Sequence, residues 1–174
     1  MVDTASRQSE PQVERRARLA RFLADASRAR AVEITGLTPL RGGAIQENWA
    51  VDAHFSAGML VGDQRLVLRT AAPTGVPASL DRLQEFAVLK AAFEAGVTVP
   101  EPLFASDDPV IFGKPFFIMR RVEGTAAAHR ITRDPALDPA LPTIAEPMAF
   151  QAKRLLHVLK YPPAALRVTL ARQG

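Results

Sequence analysis

Two adjacent glycines mark the part of the sequence whose residue types point most directly to ligand chemistry. Gly42 and Gly43 lie between a β-favouring run at 32–35 and a second one at 49–51. Glycine adopts positive φ without penalty and has no side chain, so a ligand can come close to backbone N–H groups. Such groups form a cradle for phosphate, although a glycine pair also suits an ordinary hairpin turn. The turn alone leaves both interpretations open.

Other familiar patterns of catalysis and metal binding are missing from the sequence. It contains no Gly-x-Ser-x-Gly segment, and no spacing of Asp, Glu and His completes a metal site. It also contains no cysteine, which excludes disulfides and Cys-ligated metals and fits a cytoplasmic protein.

The composition is that of an ordinary globular protein. Its 174 residues are 48% hydrophobic and 23% charged, which predicts one domain with a single core. The net charge of +4 comes from scattered arginines, and aromatic residues make up only 6%. A nucleic-acid-binding protein concentrates its basic residues and interleaves aromatics, so we predict no nucleic-acid partner. No apolar leader or membrane-length run is present, so we predict no membrane partner and a cytoplasmic location.

The order of periodic segments predicts an α+β fold. Helical spacing at 13–29 indicates an amphipathic helix with a basic outer face, which we interpret as a surface helix rather than a membrane-binding one. Alternation and turn residues predict strands at 32–39, 46–55, 65–70, 103–106 and 116–122, with a further candidate at 110–112. Ser79 and Gly96 cap a predicted helix at 80–95. Because no βαβ unit repeats, we expect an antiparallel five-stranded sheet with that helix packed on one face.

The C-terminal region differs from the rest of the chain. Its prolines predict an irregular linker at 134–145, followed by a helix at 148–160. Phe150, Leu155, Leu156 and Leu159 of that helix have few places to bury, and large exposed apolar patches promote association. We therefore expect a loosely attached helix and self-association of the chain.

Taken together, these segments resemble the small N-terminal lobe of the aminoglycoside phosphotransferase family, which has a protein-kinase-like fold. The resemblance covers roughly residues 17–124 and places five weak motifs in the family's order. They are the glycine turn followed by Asn (Leu40-Arg41-Gly42-Gly43-Ala44-Ile45-Gln46-Glu47-Asn48), the third strand (Leu66-Val67-Leu68-Arg69), the Glu-bearing helix (83–89), the proline-marked entry to the fourth strand (97–102), and the fifth strand with its hinge (115–124).

This resemblance implies binding of ATP and phosphoryl transfer to a small-molecule hydroxyl acceptor. It assigns nucleotide-binding roles to Gly42, Gly43, Gln46, Asn48, Arg69, Glu85, Met119 and Arg121. Arg69 would reach the phosphates from its strand end, and Glu85 would hold it by a charge-assisted pair. The hinge at 119–122 would hold the adenine through backbone groups. Read locally, Arg69 is also a solvated strand-end charge, Glu85 a polar helix residue and Met119 a core filler.

The family's catalytic residues have no counterpart in this sequence. The family carries a His-Gly-Asp loop with an Asn five residues after the Asp, then an acidic metal-binding motif, and neither is present. His129 begins a superficially similar segment that lacks the Asn. We therefore expect a disordered N-terminus (1–12), a kinase-like nucleotide-binding lobe (13–124), and a linker and helix (125–174) that begin a missing catalytic lobe. Mg²⁺ is expected only with that lobe, and this chain alone is expected to be inactive.

Three hypotheses for the function remain at this point. The first is an ATP-dependent small-molecule phosphotransferase, present as its nucleotide-binding lobe. The second is a non-catalytic binding or regulatory module built on a stand-alone lobe, and the third is an unrelated α+β protein whose glycines only form turns. A His-Gly-Asp segment encoded downstream of Gly174 would separate the first from the second. The acceptor stays open among aminoglycosides, choline-like alcohols, sugars and hydroxyacyl compounds, since the other lobe supplies most of its contacts.

Overall fold

A computed structural model describes residues 4–40, 46–71, 80–124 and 141–163, with side chains for all of these except 4–11, 46 and 141–146. The fold is α+β, as predicted. Its elements are, in order, α1 (Thr4–Ser27), β1 (Ala31–Leu40), β2 (Gln46–Ser56), β3 (Gly62–Ala71), α2 (Arg82–Glu94), β4 (Pro102–Ser106), α3 (Pro109–Phe112), β5 (Phe116–Arg120) and α4 (Leu141–Lys160). Helix α1 thus begins at Thr4, nine residues before the start at residue 13 that the helical spacing predicted.

The five strands form one sheet in the order β1-β2-β3-β5-β4. Antiparallel pairing joins β1 to β2, β2 to β3, and β3 to β5. This confirms the predicted antiparallel five-stranded sheet, and each predicted strand lies within a few residues of an observed one. The alternation of apolar and polar side chains was sufficient for this because every second side chain along much of β2 and β3 is apolar and buried in one core cluster.

The chain divides into two compact units. The sheet unit comprises Met1–Leu83 and Leu103–Arg121, and the helical unit comprises Gln84–Pro102 and Val122–Gly174. Helix α2 begins in the first unit and continues in the second, so its predicted packing against the sheet stays a prediction.

The core of the sheet unit lies between α1 and one face of the sheet, here called the first face. Leu19 and Leu23 of α1 are fully buried there, and Phe22 makes an edge-on contact with Phe116 at 5.2 Å between ring centroids. The strands contribute Leu37, Val51, Ala53, Phe55, Leu66, Leu68, Phe116 and Ile118 to the same cluster. Because successive side chains of a strand point to opposite faces, the residues next to these along each strand point to the other face, here called the second face.

Residues 110–112 form a helical turn, so the strand candidate at this position was wrong. The Asp108 side chain accepts a hydrogen bond of 2.8 Å from the Val110 N–H, and Pro109 occupies the start of the turn. Gly113 ends the turn with φ of 85°, and its N–H donates to the Pro109 carbonyl at 2.6 Å. These caps at both ends override the β propensity of Val110 and Ile111.

The helical unit has a much smaller buried cluster. Val158 of α4 is buried with Ala91 of α2, and Ala87 and Val88 pack against them. Helix α4 begins at Leu141, earlier than the predicted 148, because a proline in the first turn removes no hydrogen bond. Pro147 lies inside this helix. Residues 134–140 of the predicted linker lie outside the described part of the chain.

Candidate functional site

The strand register arranges the second face into three rows of residues that lie side by side. Antiparallel partners share a face of the sheet, and alternate residues along a strand return to it. The polar row is Leu40, Asn48, Arg69 and Phe117; the apolar row is Thr38, Ala50, Val67 and Met119; the charged row is Gly36, Asp52, Arg65 and Arg121. The register therefore brings four of the predicted site residues, Asn48, Arg69, Met119 and Arg121, onto one face.

The polar row places an amide directly beside a guanidinium. Asn48 of β2 pairs with Arg69 of β3, and both side chains are half-buried. The side-chain oxygen of Asn48 is buried, and no donor among the described residues reaches it. Leu40, which pairs with Asn48, is the last residue of β1 before the glycine turn. This row therefore presents an amide near the start of β2 and a guanidinium near the end of β3.

The apolar row lies between the polar and charged rows. Its central members, Ala50 and Val67, are buried and short, and Met119 of β5 is half-buried. Two short, buried side chains of this row thus lie between the longer arginines of the neighbouring rows. Mainly apolar surfaces with a few polar groups placed around them are typical of small-molecule sites.

The charged row is held together by an ion pair that the sequence analysis missed. Arg121 Nη2 lies 2.6 Å from Asp52 Oδ1, and the Arg121 backbone N–H donates to the Arg65 carbonyl at 2.9 Å. The Arg121 side chain is only 16% exposed, so the pair is partly shielded from water. Asp52 alternates with Asn48 along β2, and that period-two spacing was the signal that could have identified it.

Gly36 makes room for this ion pair. A Cβ atom at Gly36 would lie 2.8 Å from Asp52 Oδ2 and 3.2 Å from the Asp52 Cβ. A contact below 3 Å forces one of the groups to move. The bulge between Ile34 and Gly36 sets this register, and Thr35 donates its hydroxyl to the Asp52 carbonyl at 3.1 Å. A residue without a side chain is thus required opposite Asp52.

The predicted partner of Arg69 belongs to the other compact unit. Glu85 lies in the first turn of α2 and is half-buried. Arg69 lies in the sheet unit and Glu85 in the helical unit, so their pairing stays a prediction. Gly42 and Gly43 lie outside the described residues, and Gln46 is described only as the first residue of β2.

Neither a metal cluster nor a membrane span is found in the described part of the chain. Among those residues, no group of three or more His, Cys, Asp or Glu side chains could hold a metal ion. In the same ranges, no helix is both long and apolar enough to cross a bilayer. The described second face therefore offers arginine, amide and apolar groups as its means of binding a ligand.

Comparison with known proteins identifies a family and a human relative. A family model described as the phosphotransferase enzyme family matches residues 36–172, which include the whole sheet from β1's bulge onward. A human protein named acyl-CoA dehydrogenase family member 11 is 33% identical over 109 residues, which cover 56% of this chain. The match covers only 13% of that human protein, so the chain corresponds to a small part of it.

Proposed function

Because the chain belongs to the phosphotransferase enzyme family, as its sequence segments predicted, we propose that its second face binds the nucleotide of an ATP-dependent small-molecule phosphotransferase. The observation that carries the proposal is the register of the sheet. It sets Asn48 and Arg69 side by side on one side of the apolar row, Met119 within that row, and Arg121 on its other side.

The chemistry of the three rows fits a nucleotide. Arginine is always charged, and its planar fork of donors matches phosphate oxygens. The buried amide of Asn48 has an oxygen that no donor among the described residues reaches, so a bound ligand or its water would satisfy it. The apolar side chains of Ala50 and Val67, next to these polar groups, suit the apolar face of a purine. When bound, ATP supplies the electrophilic γ-phosphoryl group.

The proposal assigns a task to the predicted site residues. Arg69 and Asn48 orient the phosphates, and the N–H groups of Gly42 and Gly43 shield their charge. The family resemblance gives Glu85 the task of holding the Arg69 guanidinium by a charge-assisted pair. The guanidinium of Arg121 is held by Asp52 and its N–H by Arg65, so we assign its adenine contact to its carbonyl oxygen.

We further infer that this chain supplies the nucleotide-binding lobe and not the whole reaction. Residues 13–124 would form that lobe, and 125–174 would lead into a catalytic lobe that supplies the base, the metal ligands and the hydroxyl acceptor's pocket. The chain has no His-Gly-Asp segment, so it is proposed to bind ATP without turnover. A cytoplasmic location is proposed with this role, on the basis of a composition without cysteine.

The name of the human relative is consistent with one of the possible acceptors. Its name refers to acyl-CoA dehydrogenases, and a hydroxyacyl compound is one of the acceptors that the family allows. Since the matched region is 13% of that protein, we keep the acceptor at the level of a small-molecule hydroxyl.

Calorimetric titration of the chain with ATP and ADP tests the proposal. We expect binding by the wild-type chain and a Kd about 10- to 100-fold higher for Arg69→Met, since a charge-assisted hydrogen bond contributes about 1.5–3 kcal/mol. Arg30→Met is the matched control, because Arg30 is exposed beside the far end of β1 and its backbone N–H bonds Ser56. It should bind ATP like the wild type.

Absence of ATP binding, or equal loss in the Arg69 and Arg30 variants, would contradict the proposal. The missing His-Gly-Asp segment also favours a second function, a non-catalytic regulatory module that uses the same site. A steady-state assay for phosphate release by the chain should stay at background under either function. Turnover that disappears in Arg69→Met would show that this chain is itself catalytic.

A further inference from the structure

We propose that Lys114 is a positioning residue that holds the ends of β2 and β3, so that Asn48 and Arg69 present their side chains to the phosphates together. This inference rests on the proposed function, since it concerns the polar row of the same site. It adds a residue that neither the sequence motifs nor the family resemblance assigned to nucleotide binding.

Lys114 joins three segments of the sheet unit at one point. Its Nζ donates to Glu47 Oε2 at 3.1 Å and to the Ala71 carbonyl at 3.0 Å. Glu47 is near the start of β2, Ala71 is the last residue of β3, and Lys114 lies between α3 and β5. The Lys114 and Glu47 side chains are 39% and 35% exposed, and ion pairs this accessible contribute little to global stability. Their geometry is therefore better explained by placement of the strand ends.

Two further hydrogen bonds complete the arrangement. The buried Thr70 hydroxyl donates to the Pro115 carbonyl at 2.9 Å. The second oxygen of Glu47 accepts from the indole N–H of Trp49 at 3.1 Å, so both carboxylate oxygens are engaged. We call this set, Glu47, Thr70, Ala71, Lys114 and Pro115, the strand-end clamp.

The clamp acts next to the polar row but on the opposite face of the sheet. Glu47 directly precedes Asn48, and Thr70 directly follows Arg69, so adjacent side chains point to opposite faces. The same register pairs Glu47 with Thr70 and Asn48 with Arg69. Any slip or separation of these strand ends would therefore move the amide and the guanidinium apart.

The position of Lys114 is set by the capped turn α3, which ends just before it. Helix α3 is capped by the Asp108 side chain at its start, and the Gly113 N–H bonds the Pro109 carbonyl at 2.6 Å at its end. The Phe112 ring is buried and lies 5.6 Å from the Trp49 ring, at an interplanar angle of 81°. The backbone of Lys114 therefore has a fixed position, and its side chain can fix the positions of Glu47 and Ala71.

The test compares ATP with adenosine in titrations of Lys114→Met and Lys114→Arg. We expect the Met variant to bind ATP about tenfold more weakly, since small misplacements of positioning groups are costly. Its affinity for adenosine, which has no phosphates, should stay within twofold of the wild type. The Arg variant keeps the charge and should recover most of the ATP affinity. Lys90→Met is the control, because Lys90 forms an exposed pair with Glu94 on α2 at 2.6 Å and should change neither affinity.

Amide hydrogen exchange without nucleotide separates this inference from the proposed function. Faster exchange at 47–49 and 69–71 in Lys114→Met is the expected result. Equal weakening of ATP and adenosine binding, no change in either, or unchanged exchange would overturn the positioning role while leaving the nucleotide site intact. Failure of the wild-type chain to bind ATP would overturn the proposed function and this role with it, even if exchange showed that the clamp holds the strands.

Discussion

The sheet unit and the helical unit bury apolar side chains to very different extents. In the sheet unit, α1 and the first face enclose large residues such as Leu23, Phe55 and Phe116, all fully buried. In the helical unit, the described buried cluster consists of Ala91 and Val158. The other described apolar side chains of α4 include Met148, Phe150, Leu156 and Leu159, which are 51–64% exposed.

This difference indicates which unit can maintain a binding surface. A sheet with a close-packed first face holds its second face rigid, because side chains packed at interior density resist displacement. The polar row and the strand-end clamp both depend on that rigidity. The described contacts of helix α4 with its own unit are the small Val158 cluster and polar contacts that include Arg154 to the Gly96 carbonyl at 2.5 Å and the Thr98 N–H to Gln151 at 2.8 Å.

Removal of equivalent rings from the two units should give the largest contrast. Phe116→Ala should lower the free energy of unfolding by about 3–5 kcal/mol, because it leaves a cavity beside Phe22 and Phe112. Phe150→Ala should cost less than about 1 kcal/mol, since it loses only an exposed ring and its contact with the Arg154 guanidinium at 4.6 Å. Urea denaturation measures both. Equal costs would show that α4 is as tightly packed as the sheet.

A methyl group at Gly36 should disturb the second face at an intermediate cost. Gly36→Ala should destabilise the chain by about 1–3 kcal/mol, because the new Cβ collides with Asp52. Asp52→Ala removes the carboxylate from that collision and also from Arg121. The double variant should therefore cost less than the sum of the two single changes in urea denaturation. Strict additivity would mean that Gly36 is not required for this contact.

Loss of the hydrogen bond between Arg154 and the Gly96 carbonyl should change amide exchange only in α4. Arg154→Met removes the hydrogen bond to the Gly96 carbonyl and should accelerate amide exchange in 148–160 by about tenfold, with no change in β5. Lys153→Met is the control, because Lys153 is an exposed neighbour on the same helix. Faster exchange in β5 as well would mean that the helical unit supports the sheet.

Charged residues in place of exposed leucines of α4 should hardly change stability but should clearly reduce self-association. Leu156→Glu combined with Leu159→Glu should change unfolding by about 0.5 kcal/mol or less, because both side chains are exposed. It should also reduce the self-association that we expect at moderate concentration, as measured by light scattering. Val13→Glu, an exposed change on α1, should leave scattering unaltered. Scattering from the wild-type chain typical of a clean monomer would contradict the expected role of α4.

The strands were predictable from the sequence because alternation is a local signal and burial of the first face enforces it. The turn at 110–112 was missed because its Val-Ile-Phe run has high β propensity, whereas the deciding groups, Asp108 and Gly113, lie outside it. The start of α4 was missed because prolines were interpreted only as helix breakers. The periodicity of apolar residues therefore predicts helices and strands well, except where capping residues next to a segment impose another structure.

For the candidate site, the sequence proposed residues but not their geometry. The motifs identified Asn48, Arg69 and Met119, but only the register shows that Asn48 and Arg69 are direct neighbours. The ion pair of Asp52 with Arg121 and the contact of Lys114 with Glu47 were missed because the paired residues lie 69 and 67 positions apart in sequence. Contacts at such separations depend on tertiary structure, which no local pattern encodes. The pairing of Arg69 with Glu85 stays a prediction of the family resemblance.

The central claim is that the second face, and not the first, binds the nucleotide, and a methyl NMR titration with ATP tests it most directly. Ring currents from a bound purine shift nearby methyl resonances. We predict large shifts for the methyl groups of Ala50, Val67 and Met119, which form the apolar row. Those of Val51 and Leu66 alternate with them on the same strands and should barely move. Equal shifts on both faces, or shifts confined to the first face, would contradict the account.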